Sequence, residues 1–164
     1  MPTQRRAHEA GHRRKFLVVV DQSPELDRAL YYAARRAERT GGGVVLLYTV
    51  EDQDFRGFLG VEKVMRAEAR ALAEQTLAQV AERARGIANV EPELVIREGN
   101  RAESVMRLID DDEDIAVLVL AAGTGSEGPG PLVTSLAGRA SATFPIPITI
   151  VPGHLSDEDI AAVA

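Results

Sequence analysis

The residues best suited to chemistry crowd one segment, Gly123-Thr124-Gly125-Ser126-Glu127-Gly128-Pro129-Gly130-Pro131. Glycines let successive backbone N–H groups turn toward one point, and a helix N-terminus behind them adds a favourable dipole. Such a nest can cradle phosphates without any lysine. The same residues would also serve a tight strand-to-helix connection that needs positive φ angles. Gly123, Gly125 and Gly128 fit the spacing G-x-G-x-x-G, but that dinucleotide fingerprint belongs in the first strand-to-helix turn. It also needs an acid about 20 residues further on, and no Asp or Glu stands between Glu127 and Asp157. A P-loop fails as well, since the only lysines are Lys15 and Lys63.

Other chemistries are poorly supplied. There is no cysteine, and the three histidines are His8, His12 and His154, all outside the periodic part of the chain. Nucleophile–base pairs built on His or Cys are therefore not expected in a cleft. His8 and His12 have the i, i+4 spacing of a helical metal pair, but no third ligand is evident and no metal site is expected. Asp110 to Asp114 lack the glycine and glutamate spacing of a calcium loop and read as a solvated turn. Asp21 closes the first apolar run, either as a turn aspartate before a helix or as a ligand contact.

The elements that position these residues follow from periodicity. Lys15 to Val20 is a continuous β-branched run, the pattern of a strand buried on both faces. Ser23 and Pro24 suit a helix start, and Leu26, Ala29, Leu30, Ala33 and Ala37 recur at helical spacing until Gly41-Gly42-Gly43. Val44 to Val50 is a second strand. A loop over 51–60 precedes a long helix from about Val61 to Ile87, its apolar face marked by Val61, Met65, Ala69, Leu72, Thr76, Val80, Ala84 and Ile87. Glu91 to Glu98 holds a third strand, Ala102 to Ile109 a short helix, and Ile115 to Ala122 a fourth strand. After the glycine loop come a helix near Leu132 to Thr143 and a fifth strand, Ile146 to Val151. Strand and helix alternate throughout. That order predicts an α/β fold: one open five-stranded parallel sheet with helices on both faces. Ligands of such sheets bind beyond the carboxyl ends of the strands where strand order reverses. If the first and fourth strands flank that point, Asp21 and Ala122 share a cleft.

The 164 residues suffice for one domain, and 45% hydrophobic with 27% charged residues is the balance of a globular chain. Arg5, Arg6, Arg13, Arg14 and Lys15 against Glu9 give the first fifteen residues a surplus of +4, so the remainder carries −10 of the net −6. So acidic a domain, with 4% aromatics and no Trp, is not expected to bind nucleic acid. No apolar run approaches the roughly 20 residues that span a bilayer, and no secretory signal is evident, so membrane contact is not expected and a cytoplasmic location is. The basic residues 1–14 read as a disordered arm, 15–153 as the domain, and 154–164 as a short tail whose Ser156-Asp-Glu-Asp159 resembles a capping box.

These residues together resemble the universal stress protein family. Its nucleotide-binding members carry G-x2-G-x9-G followed by Ser or Thr; this chain has Gly125-Ser126-Glu127-Gly128, nine residues, then Gly138 and Arg139. Val18-Val-Val-Asp21-x-Ser23 and Ile148-Thr-Ile-Val-Pro152 also look like that family's first and last strands. The resemblance covers roughly 15–153 and implies strand order 3-2-1-4-5, a homodimer through the last strand (Ile146 to Val151), and ATP binding in many members. It implies a regulatory module without dedicated catalytic residues, capable at most of slow ATP hydrolysis with Mg2+. The implied nucleotide contacts are Asp21, the backbone of Val50, Gly123, Gly125, Ser126, Gly128, Gly138 and Arg139. Arg139 replaces the small hydroxyl residue, and either supplies charge to a phosphate or fills the site. Glu127 repels polyphosphate, and each proline removes an N–H. A member that binds no nucleotide, acting as a structural or signalling dimer, is the alternative.

Overall fold

A computed structural model describes residues 3–51, 59–125, 130–139 and 142–164. The chain runs β1 (Lys15–Val20), α1 (Leu26–Thr40), β2 (Gly43–Val50), α2 (Leu59–Ile87), β3 (Glu93–Glu98), α3 (Arg101–Asp111) and β4 (Ile115–Ala122). There follow α4 (Pro131–Val133), a π-helical turn (Thr134–Arg139), β5 (Ile148–Pro152) and α5 (Asp157–Val163). The strands form a single parallel sheet of order β3-β2-β1-β4-β5, as the sequence and its resemblance led one to expect.

Side-chain alternation divides the core between the two faces of β1. Phe16, Val18 and Val20 pack with Leu30 and Ala34 of α1 and Leu77 and Ala81 of α2. Leu17 and Val19 pack with Val105 and Leu108 of α3 and with Val133 and Leu136 beyond β4. Burying a side chain of this size contributes roughly 1.5–3 kcal/mol, and both faces of β1 receive that contribution. β1 is consequently the fixed axis of the domain. α1 stops where Gly41 takes φ 68°, a left-handed conformation that lets the Gly42 N–H return to the Ala37 carbonyl at 2.8 Å.

Several elements differ from expectation in detail. α1 begins at Leu26, and Ser23 caps no helix with its side chain; its own N–H is instead bound by Asp21. The buried face of α2 is Ala73, Leu77, Ala81, Ala84 and Ile87, whereas Val61 and Leu72 are half exposed. The helix outruns the sheet it covers, so its first turns find less to pack against. Beyond β4 the helix is one short turn continued as a π turn rather than a helix to Thr143. β5 starts at Ile148 because Pro147 offers no N–H to a ladder. α5 forms with the capping box that Ser156 to Asp159 led one to expect. Beyond that expectation, Ile160 is fully buried against the α1 side of the core and Arg39 donates to the Ala161 carbonyl at 2.6 Å.

The N-terminal segment departs furthest from expectation. Residues 3–14, read from sequence as a disordered arm, run along the amino end of the sheet. The Arg6 N–H donates to the Glu113 carbonyl at 2.9 Å and Lys15 N–H to that of Asp114 at 3.0 Å. The Arg5 guanidinium donates to the carbonyls of Asp112 and Ile115, and Thr3 binds the Asp110 carboxylate through both N–H and Oγ1. Arg6 pairs with Glu113, His12 with Asp114 at 2.6 Å, and Lys15 with Asp112 and Glu93. Polar complementarity to the acidic turn after α3 holds the segment, and hydrophobic periodicity carries no trace of that.

Candidate functional site

The chain leaves β1 toward α1 on one face and β4 toward α4 on the other, so the carboxyl ends of these neighbouring strands open a cleft between diverging connections. Asp21 stands at its floor, one residue past β1. Its Oδ1 accepts the Ser23 N–H at 2.9 Å, an Asx turn that fixes the carboxylate at the strand end. Its side chain is partly exposed, and its second oxygen faces no donor among the described hydrogen bonds.

On the other wall, Gly123 and Thr124 follow β4 and lead to Gly125, which is exposed; among the described residues beyond its chain neighbours, no heavy atom lies within 4 Å of where a Cβ would stand. Ser126 and Gly128 lie outside the described residues, and of Gly138 and Arg139 only the backbone is described, in the π turn. Gly130 takes φ 114°, where a side chain is strained, and its carbonyl accepts both the N–H and the Oγ1 of Thr134 at 3.0 Å.

Gly153 gathers the walls together, and sequence reasoning missed it. A Cβ on Gly153 would overlap the Ala122 carbonyl oxygen, and would stand 2.9 Å from Cγ of Glu25 and 3.2 Å from Cγ2 of Thr124. The β1–α1 connection, the β4–α4 connection and the end of β5 therefore meet at this residue. The one signal in the sequence is a glycine directly after the last strand, and its spacing to Ala122 and Thr124 is not encoded there.

Val50 ends β2 with its side chain packed on Ala73 of α2. Its carbonyl accepts the Gly99 N–H at 2.9 Å, continuing the ladder to β3. In a parallel strand the main-chain groups of successive residues turn to opposite neighbours. The main chain of Thr49 accordingly turns to the β1 side, where the Val20–Tyr48 pair is the last in register, so the Thr49 carbonyl stands just past the ladder with β1. Thr49 is buried, and its Oγ1 has no hydrogen-bond partner among the described residues. Next to it, Glu51 pairs with Arg101, the first residue of α3, at 3.8 Å. Beyond these, a groove of about 430 Å³ opens at the β3–α3 turn, lined by Arg97, Glu98, Asn100, Glu103, Ser104 and Arg107. Its alternating charges select no single sign of ligand.

The described part of the cleft thus offers a fixed carboxylate, main-chain groups at strand ends and glycines that leave room for close approach. Of the three histidines, His8 is exposed in the N-terminal segment, His12 pairs with Asp114 beside the start of β1, and His154 is exposed one residue beyond Gly153. No helix among the described residues is long and apolar enough to cross a membrane.

Known proteins of this architecture match over most of the chain. The universal stress protein UspA from Lactobacillus plantarum superposes with TM-score 0.67 at 18% identity, covering 84% of this chain and 97% of that one. A universal stress protein in complex with cAMP gives 0.59 at 17% identity, covering 85% and 97%. That from Archaeoglobus fulgidus in complex with dAMP gives 0.55 at 18%, covering 84% and 97%. At such identities these likenesses speak to the fold. No curated protein matches the sequence. The family model of the universal stress proteins matches residues 12–152, from the last histidine of the N-terminal segment to the end of β5, and the chain belongs to that family.

Proposed function

We propose that the cleft between the β1 and β4 ends binds an adenine nucleotide, ATP with Mg2+ being the expected form, as a regulatory ligand. The observation that carries this reading is the meeting at Gly153 of the β4 end, Thr124 and Glu25 of the connection that Asp21 opens, at the switch point of the sheet. Family members in complex with cAMP and with dAMP support it.

The residues present suit such a ligand. Asp21 keeps a carboxylate oxygen for a ribose hydroxyl, and Thr49 presents main chain at the level where a base edge would pass. Gly125 leaves its Cβ position open, so backbone can approach a phosphate closely. Ser126, Gly128, Gly138 and Arg139 complete the phosphate side in this proposal. Asp21 and Glu25 bring negative charge to the cleft, so a polyphosphate needs Mg2+ to offset it; the bound ion would supply that neutralisation. The chain has no cysteine to act as nucleophile, and in this reading the role is sensing rather than rapid turnover.

The protein acts in this reading as a cytoplasmic homodimer paired through β5. Among the described strands it pairs only with β4, and Ile150 on it is 40% exposed, so its outer edge and an apolar side chain are available to a second copy. The rival reading, a signalling dimer whose loop only packs, draws on Glu25, whose stem adjoins Thr124 around Gly153. Gly128→Val separates the two. If the loop holds phosphate, the variant binds ATP at least tenfold more weakly, roughly 1.4 kcal/mol, with its fold intact by circular dichroism. If the loop only packs, parent and variant alike bind no nucleotide.

A further inference from the structure

The amino end of the sheet, opposite the β1 and β4 carboxyl ends, brings His12 together with two adjacent acidic side chains about a hundred residues away in sequence. One nitrogen of His12 and one oxygen each of Glu113 and Asp114 lie within 4.8 Å of one another. Helical spacing pointed to His8 as the mate of His12, but residues 7–11 form turns, not a helix, and His8 is exposed and apart. The docked segment supplies different mates for His12.

We propose that His12, Glu113 and Asp114 bind a divalent transition ion of the Zn2+ class, clamping the N-terminal segment to the turn between α3 and β4. Three observations carry the assignment. The first is the donor set. An imidazole with two carboxylates matches a three-ligand zinc site whose remaining positions go to water, whereas Mg2+ and Ca2+ prefer oxygen throughout.

The second is preorganisation. The main chains of all three residues are already fixed: His12 N–H to the Glu9 carbonyl at 3.0 Å, Arg6 N–H to the Glu113 carbonyl at 2.9 Å, and Lys15 N–H to the Asp114 carbonyl at 3.0 Å. The Asp114 N–H is also held, by the Asp112 carboxylate at 3.0 Å. Only side chains need adjust. His12 Nδ1 and Asp114 Oδ1, now 2.6 Å apart, need part by somewhat under an ångström, about 0.8 Å, to sit on one tetrahedral ion at bond lengths of about 2.0–2.2 Å.

The third is shielding with access. The side chains of His12 and Asp114 are 22% and 18% exposed and that of Glu113 36%, so the site is partly dry yet reachable by a hydrated ion. The charges facing it are mixed. Arg6 pairs with Glu113 at 3.3 Å but more closely with Glu9, at 2.8 Å, so Glu113 can turn to a metal while Arg6 keeps a partner. Lys15 is occupied by Asp112 and Glu93.

Titration of the full chain with ZnCl2 by calorimetry should give one saturable site. His12→Ala and Asp114→Asn should each weaken it at least tenfold, and His8→Ala should leave it unchanged. Co2+ in place of Zn2+ should produce visible absorption bands that vanish in His12→Ala. Circular dichroism establishes that each variant folds. Absence of a saturable site for either ion, or equal binding by parent and His12→Ala, would overturn the assignment. So would loss of the site on removing His8.

Discussion

Gly153 lies so close to Ala122 that its Cα hydrogen occupies the only space available there; a Cβ would overlap the Ala122 carbonyl oxygen. The obstacle is backbone, which cannot rotate aside, and Ala122 is held in turn by the β4–β5 ladder, where it pairs with Pro152. Gly153→Ala should therefore destabilise the domain by about 1–3 kcal/mol, the usual cost of overpacking. The midpoint of urea unfolding reads this. The same change should also weaken ATP binding, because it pushes the two walls of the cleft apart. Parental stability in Gly153→Ala would mean that β4 and the end of β5 are not so closely apposed.

Asp21→Ala removes both the Asx turn to Ser23 and the carboxylate at the cleft floor. Asp21→Asn keeps an acceptor for the Ser23 N–H and loses the charge. Both variants should bind ATP more weakly, and Asp21→Ala should additionally lose about 1 kcal/mol of stability for the missing hydrogen bond. Thermal denaturation of the free proteins separates the two contributions.

A cluster of charges ties α1 to α2 and to α5, and it sets how the domain responds to acid. Hydrogen bonds from Arg83 hold the Asp27 carboxyl below its ordinary range, burial opposes them, and Arg28 adds to the lowering. Arg28 continues the cluster to Asp157 at 2.6 Å and to the Leu155 carbonyl. A carboxyl whose pKa is lower when folded adds stability that is fully present above its unfolded pKa, about 3.9. That stability is lost as pH falls through the folded value. Urea midpoints from pH 6 to pH 3 should therefore fall less steeply in Asp27→Asn than in the parent. Asp27 is partly exposed, so salt should reduce the difference.

Removing residues 3–12 should lower the melting temperature by several degrees. The main-chain bond to Glu113 and the Arg5 bonds to the Asp112 and Ile115 carbonyls would go together, each worth about 0.5–1.5 kcal/mol or somewhat more for the charged donor. An unchanged melting temperature would show that the segment is not docked in solution.

How legible all this was in the sequence depends on which force holds each part. β1, β2 and β4 are buried by neighbours on two faces, so their apolar runs announce them, and the alternation of elements leads to the parallel sheet. Asp21 could be placed because it directly follows such a run. Val50 was implied by family resemblance. Its carbonyl is bonded to Gly99 of the β3 side, so the neighbouring Thr49 turns to the β1 side, a distinction of one residue that apolar periodicity cannot make. Glu25, Gly153 and the mates of His12 were invisible for a different reason. Each acts through a contact between segments far apart in sequence, and no spacing encodes those meetings. The docked residues 3–14 bury few apolar groups and are held by carbonyls and carboxylates, so composition alone pointed to disorder.

The central claim is that this cleft takes an adenine nucleotide, and calorimetric titration of the untreated protein with ATP, in the presence of Mg2+, tests it most directly. The account predicts saturable binding below millimolar concentration, weakened in Asp21→Ala and in Gly128→Val. No heat of binding at millimolar ATP, from protein shown by acid release to carry no nucleotide already, would contradict it.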